Sequence, residues 1–408
     1  MKRKILLRLF WEYLKIASFV VGGGYAIIAA AEDVFSRKLK WLREGELMDS
    51  LPVFQMVPGL IAGNSAIYVG RKVAGLAGSA VALVGVALPS LCVILAVAVG
   101  YDSLPMDGQR LQGAFLGLRS ALAGVAAALL AASWRRIMHG HGLYPPVALA
   151  AGLALVQGFG AAPAWILLGG MAFGIARELV ACRRSGPPDA PAGLPSGSRD
   201  ARSIFHGLAV PAAAALAVCA VSPRVFLQFA KFGLLCFGGG NVLVPIYVAD
   251  FVGPDAPALQ LPPEEFGNLL AITQMTPGPI SVNAATFFGY RMGGPVASVV
   301  ATAGLLAPSF FLLTLALRSL DRWRRSPVVR GLLAGVAPMT VCLMAVATWI
   351  FSRMSFVASG PWRVRPVSAA LAAAACVLML RRRMGVMALV LSGAAAGAAF
   401  PALLAYAP

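Results

Sequence analysis

The feature that most constrains this chain is an apolar segment, broken by glycine and proline, that occurs twice. Lys15-Ile-Ala-Ser-Phe-Val-Val-Gly-Gly-Gly, ending at Gly24, returns as Lys231-Phe-Gly-Leu-Leu-Cys-Phe-Gly-Gly-Gly, ending at Gly240. Further on, Gln55-Met-Val-Pro-Gly-Leu-Ile-Ala-Gly-Asn64 returns as Gln274-Met-Thr-Pro-Gly-Pro-Ile-Ser-Val-Asn283. The match runs without a gap through Gly70/Gly289, Gly75/Gly294 and Gly85/Gly304 to Pro89-Ser90/Pro308-Ser309, with about 15 identities in about 36 positions. Chance identity in a chain rich in Gly, Ala and Val is several-fold lower. Self-similarity on this scale means two copies of one folding unit.

The units lie in a bilayer. The chain is 59% hydrophobic and 12% charged, with a mean hydropathy of +0.80, where soluble proteins are about 25% charged. This excludes an ordinary soluble enzyme, a disordered chain and a fibre. Lys2, Arg3 and Lys4 before an apolar stretch ending at Ala29-Ala30-Ala31 imitate a signal peptide. Glu12 and Lys15 interrupt that stretch, and its mid-chain copy cannot be a leader, so it reads as the first membrane element. The 34 Lys and Arg outnumber 16 Asp and Glu, in short clusters between apolar runs. That pattern orients a membrane chain and also attracts an anion.

Each half reads as a helix broken at its glycine triplet, then a segment interrupted at Pro-Gly, then four more spans. Residues 183–203 are rich in Pro, Gly and Ser and read as a cytoplasmic linker; residues 204–223 form one extra crossing helix. The expectation is an all-α polytopic membrane protein of about 13 segments: a repeat over 1–182, the linker, the extra helix, and a second repeat over 224–408 in inverted topology. The N-terminus is cytoplasmic and the C-terminus, Pro408, outside. Most basic clusters then fall inside, as the positive-inside rule requires. The loop from Glu32 to Asp49 is the exception, placing Arg37, Lys38, Lys40 and Arg43 outside.

Broken backbone in hydrocarbon is costly unless it is buried in protein or lines a polar cavity. Proline lacks an amide hydrogen and clashes with the preceding turn, so a half-helix starts after each Pro-Gly. Its N-terminus offers N–H groups and partial positive charge to an anion. Matched breaks in two inverted halves point to a binding site near the membrane midplane. The candidate substrate-binding residues are Gly22, Gly23, Gly24, Pro58, Gly59 and Asn64 in the first half. In the second half they are Gly238, Gly239, Gly240, Asn241, Thr276, Pro277, Gly278, Pro279, Ser281 and Asn283. The competing reading is close helix packing. Lys15, Lys231 and Arg119 are charge candidates against a reading as snorkelling side chains. Glu32, Asp33 and Asp250 are candidate proton carriers, or solvated loop carboxylates. The six scattered cysteines read as small core residues, and His139, His141 and His206 lie in or beside loops. No catalytic, nucleotide-binding or metal-ligand constellation appears, so neither an enzyme nor a cofactor is expected.

Phe-x-x-Gly-Gly-Gly from Phe19, Gln-x-x-Pro-Gly-Pro from Gln274 with a following Asn and Gly, and Leu-Pro-Ser from Leu88, each with a close counterpart in the other half, resemble the long-chain, two-domain chromate transporter family over nearly the whole chain. The resemblance implies a bacterial inner-membrane exporter of chromate that confers chromate resistance, with sulfate as the chemically similar dianion. Two departures stand out. The first half has Leu60 where the family motif has a second proline, which suggests a looser site there or different roles for the two halves. The second half has Asn241 where the first has Tyr25. Homodimerisation, an anion channel for sulfate-like dianions, and a membrane-embedded enzyme stay open as alternatives.

Overall fold

The computed structural model describes residues 2–20, 24–103, 108–138, 144–159, 162–185, 202–237, 239–318, 326–357 and 365–405. Among them there is no strand, only one isolated bridge between Val252 and Leu261. The helices are α1 (Lys2–Phe19), α2 (Gly24–Glu32, continued by a π-helical turn Asp33–Lys38), α3 (Glu46–Asp49), α4 (Leu51–Met56), α5 (Ile61–Tyr101), α6 (Gln109–Met138), α7 (Tyr144–Phe159) and α8 (Pro163–Ser185). Then come α9 (Arg202–Val221), α10 (Pro223–Leu235), a 3-10 turn (Gly240–Leu243), α11 (Val244–Phe251), α12 (Pro263–Met275), α13 (Ile280–Arg318), α14 (Pro327–Phe356), α15 (Pro366–Leu380), α16 (Val386–Ala399) and α17 (Pro401–Ala405). Five stretches are long and apolar enough to cross a membrane: Ile61–Tyr101, Gln109–Arg135, Pro163–Arg183, Ile280–Leu317 and Pro327–Phe356. The chain is an all-α membrane protein.

Two of those stretches are not continuous rods. α5 breaks at Ala74–Gly75, where Gly75 has φ 71° and ψ −153°; α13 breaks at Gly293–Gly294, where Gly294 has φ 72° and ψ −160°. Both are repeat-matched positions, and the conformation is one that only glycine adopts without strain. Each helix folds back on itself there. Ser79 Oγ donates to Ile67 O at 2.9 Å in α5, and Ser298 Oγ donates to Thr286 O at 2.8 Å in α13.

The chain forms two compact units that cut across the sequence halves. One contains residues 1–95, 167–240 and 277–337; the other contains 96–166, 241–276 and 338–408. In the first unit, the opening segments double back. Continued in line, Tyr13 and Phe35 would stand roughly 30 Å apart at 1.5 Å per residue; their ring centroids are 4.9 Å apart. The Arg8 guanidinium lies 6.0 Å from the Trp41 ring. So α1 and α2 form a hairpin. α3, α4 and the first limb of α5 form a second hairpin with Pro58-Gly59 at its tip. Phe54 meets Tyr68 ring to ring at 5.5 Å, and Glu46 accepts from Tyr68 Oη at 2.8 Å, where a straight path would separate Glu46 and Lys72 by roughly 40 Å. The loop around Trp41 therefore lies level with Arg8. The charge pattern alone had set it on the side opposite the N-terminus; the approach of Phe35 to Tyr13 and of Trp41 to Arg8 brings it to the N-terminal end of α1 instead.

The second limb of α5 packs on α1 through Gly85, whose hydrogen faces Phe10 O; a Cβ there would lie 2.9 Å from that oxygen. The second limb of α13 packs on α10 in the same way, a Cβ on Gly304 lying 2.6 Å from Phe226 O. In the second unit, α6 is gripped by α15 and α16. Gly113 and Gly117 face Gly397 and Gly393, and Gly124 faces the Ala372 carbonyl. Small residues at such spacing let membrane helices approach to backbone contact.

Candidate functional site

The first unit brings both Pro-Gly breaks together. The first break spans Val57 to Leu60, where Gly59 has φ +123°. Asn64, fully buried on the first turn of α5, donates from Nδ2 to Phe54 O at 2.8 Å and to Val57 O at 3.0 Å. Its amide thus ties off carbonyls that the broken helix leaves without partners. The sequence reading made Asn64 a donor to substrate; in this arrangement both donor contacts serve the break, and Asn64 Oδ1 is a buried acceptor without a partner among the described residues. In the second break Gly278 has φ +99°, and Asn283 Nδ2 donates to Pro277 O at 3.5 Å.

Cys236 links the two. Its carbonyl accepts from Gly59 N at 2.7 Å, and its sulfur lies 3.9 Å from Ser281 Oγ on the first turn of α13. The last glycine of each triplet seats on the helix that follows the break in its own half. A Cβ on Gly24 would meet Ala62 N at 3.3 Å, and one on Gly240 would meet Ser281 Oγ at 2.7 Å. Gly239 has φ +125° with open space beside it. The glycine turn of the first break and the first turn of α13 therefore meet at one residue. The arrangement offers partial positive charge and neutral donors without a buried cation.

A further exchange was not foreseen. A Cβ on Gly59 would overlap the hydroxyl of Ser309, and a Cβ on Gly278 would overlap that of Ser90. Each break is thus faced by the serine of the other half. The matched Pro-Ser pairs were visible in the sequence, but only the fold shows which break each one reaches.

Gly22, Gly23 and Gly238 fall outside the described residues, as do His139, His141, Pro408 and most of the linker. Lys15 is exposed and pairs with Glu12 at 3.3 Å; Lys231 is exposed beside the Phe232 ring. Arg119, Asn241, Thr276 and Asp250 belong to the second unit. There Arg119 is 7% exposed, its Nη1 donates to Glu264 O at 3.5 Å, and its side chain lies on Gly267. Thr276 Oγ1 donates to Ile272 O in its own helix, at 2.8 Å. The residue after each triplet accepts from the glutamine before the matching break: Gln55 Nε2 donates to Tyr25 Oη, and Gln274 Nε2 to Asn241 Oδ1, each at 2.7 Å.

The carboxylates serve the loops. Glu32, 6% exposed, accepts from Gly45 N at 2.7 Å and Leu47 N at 3.0 Å, which fastens the two hairpins of the first half to each other. Asp33 pairs with Lys38 at 2.7 Å, and that hydrogen bond holds its carboxyl below the ordinary value. Sequence reasoning missed Glu46, which is 2% exposed in the loop before the second hairpin. Its carboxylate takes Lys72 Nζ, Tyr68 Oη and Arg43 N. Burial pushes this carboxyl up, and those three donors more than offset the effect, leaving it below its ordinary value. The signal was the matching pairs Glu46/Glu265 and Lys72/Arg291 at the repeat spacing. Among the described residues no cluster of His, Cys, Asp or Glu is suited to a metal ion.

The chain is similar to a chromate transport protein of Pseudomonas aeruginosa, 27% identical over 362 residues, 84% of this chain and 80% of that protein. It is also similar to a chromate transport protein of Cupriavidus metallidurans, 23% identical over 358 residues, 86% of this chain and 84% of the other. A transporter of Bacillus subtilis, YwrA, is 32% identical over 129 residues, 32% of this chain and 71% of that protein. No solved structure matches the chain. The chromate transporter family model matches residues 7–175 and 223–398, one region in each half, and this chain, a transporter and not an enzyme, belongs to that family.

Proposed function

We propose that the chain is a secondary transporter that exports chromate, and sulfate as its structural mimic, across the bacterial inner membrane, and that it thereby confers chromate resistance. One observation carries this reading: the repeat-matched Pro-Gly breaks of both halves meet around Cys236. Half-helix N-termini converging from two repeats are how transporters bind an anion in the midplane without a buried cation. The substrate itself comes from the chromate transport proteins that the chain resembles along most of its length.

The proposed topology follows from the hairpins. The two hairpins of the first half enter and leave on the cytoplasmic side, and their equivalents in the second half enter and leave on the other. With four crossing helices in each half and α9 between them, these make about 13 segments, N-terminus inside and C-terminus outside. Arg37, Lys38, Lys40 and Arg43 then join the other cytoplasmic cations. The equivalent loop of the second half, from Asp250 to Glu265, has no Lys or Arg. Opposite charge bias in matching loops is what inverted halves require. The Gly59–Ser309 and Gly278–Ser90 exchange also fits halves related by a pseudo-two-fold axis.

Uptake of labelled chromate into inverted vesicles tests the function, with sulfate as competitor and the proton gradient collapsed in parallel. Saturable uptake that sulfate inhibits is expected. A current that follows the chromate gradient at channel rates, without saturation, would favour the channel reading. For topology, Glu44→Cys should react with an impermeant thiol reagent only from the cytoplasmic face, and Asp255→Cys only from the outer face, each against the parent's own cysteines.

A further inference from the structure

The two Pro-Ser pairs have no part in the binding machinery read so far. Ser90 and Ser309 are fully buried, at matching places on the second limbs of α5 and α13. Each hydroxyl occupies the space that a side chain on the opposite half's glycine would fill. Only glycine permits this, because Gly59 and Gly278 also need φ of +123° and +99°. Ser90 Oγ donates to Pro277 O at 3.5 Å, a long bond that its hydrogen would give up to a bound anion. Ser309 Oγ has no hydrogen-bond partner among the described residues. A buried hydroxyl without a partner is unfavourable and calls for a reason. Here the hydroxyl is aimed at the backbone turn from which α5 starts, where the helix end favours negative charge. The Gly59 N–H is already committed to Cys236 O, so a hydroxyl beside it supplies a donor that the turn lacks.

We propose that Ser309 and Ser90 are substrate-binding residues that donate their hydroxyl hydrogens to a tetrahedral oxyanion at the two breaks, each half completing the site of the other. This rests on the transport reading above and adds to it the side chains that touch the anion. Both hydroxyls are neutral donors, which suit a dianion that has to be released as well as bound.

The test is labelled chromate uptake into inverted vesicles as a function of concentration, at matched membrane abundance, for the parent, Ser309→Ala, Ser90→Ala, the double variant and Ser309→Cys. Each alanine should raise the half-saturation concentration about tenfold, the size of one lost hydrogen bond to a charged ligand, with the maximal rate within about twofold of the parent. The double variant should raise it further, and Ser309→Cys, a weaker donor of similar shape, should lie between parent and alanine. The melting temperature of Ser309→Ala should equal or exceed the parent's, since the change removes a buried hydroxyl that has no partner. A packing role predicts the reverse: a lower melting temperature with unchanged half-saturation. If the parent saturates with chromate and both alanine variants saturate at the parent's concentration, the assignment is overturned and the transport reading stands. If the parent takes up no chromate, both fall together.

Discussion

The two Pro-Gly breaks solve one problem with different chemistry. In the first, a side chain does the fastening: Asn64 reaches back to two carbonyls of the preceding helix at 2.8 and 3.0 Å, and Gly59 N is held by Cys236 O. In the second, the ring of Pro279 stands where the first break has Leu60, so φ is fixed covalently and one N–H is absent; Asn283 Nδ2 reaches the prolyl carbonyl at 3.5 Å. The missing second proline suggested a looser first site. In the first break two amide hydrogen bonds reach back to the preceding helix, and the second break adds a ring that fixes φ. A break can be made rigid through covalent geometry or through an amide, and the two routes should fail differently when mutated.

The largest effect is expected where both routes depend on the same feature, the glycine turn. Gly59→Ala and Gly278→Ala each add a Cβ that overlaps the facing serine, at a backbone angle that L-residues rarely adopt. Together the overlap and the strain cost about 2–5 kcal/mol, and vesicle transport should be lost in both. Normal transport in either would mean that this break does not take part in the transport cycle.

The Asn pair separates the breaks. Asn64→Ala leaves the carbonyls of Phe54 and Val57 without their donor, at a cost of about 1–3 kcal/mol each if nothing replaces it, so it should lower melting temperature and abundance as well as transport. Asn283→Ala removes the donor to Pro277 O beside a ring-fixed turn and should reduce transport by about tenfold. Equal melting temperatures for the two variants would show that the two breaks are held in the same way after all. Pro277→Ala should abolish transport, because the helix is then free to close across the turn.

A moderate, pH-dependent effect is expected at Glu46. Its folded carboxyl lies below the ordinary value of 4.5. The stability it contributes is therefore fully present above that value and is lost as pH falls through the lower, folded one. Glu46→Gln should lower the melting temperature at neutral pH and flatten its fall toward acid. Parallel pH curves for parent and variant would remove Glu46 from the account of hairpin stability. The smallest effects are expected at Lys15 and Lys231, exposed and away from the breaks: alanine at either should leave the half-saturation for chromate within about twofold of the parent.

Membrane class, duplication and the two Pro-Gly breaks were legible in the sequence. Glycine triplets, Pro-Gly pairs and apolar runs act through local backbone energetics, and local energetics are written residue by residue. The kinks at Gly75 and Gly294 were likewise present as matched glycines, although nothing local says that a chain turns back there and does not merely bend. Contacts between distant residues were beyond reach. Whether α1 and α2 run on as one spanning helix or fold into a hairpin depends on whether Phe35 finds Tyr13. Which serine faces which glycine depends on how one half packs on the other, because Ser309 lies 250 positions from Gly59 and has no local preference that points there. Asn64 looked like a free donor because its partners, Phe54 O and Val57 O, are backbone atoms brought to it only when the hairpin closes. The sequence set where the backbone had to break, through the steric and hydrogen-bonding limits of Gly and Pro in hydrocarbon. The tertiary structure decided what each break meets, because burial and hydrogen-bond satisfaction are properties of the packed chain.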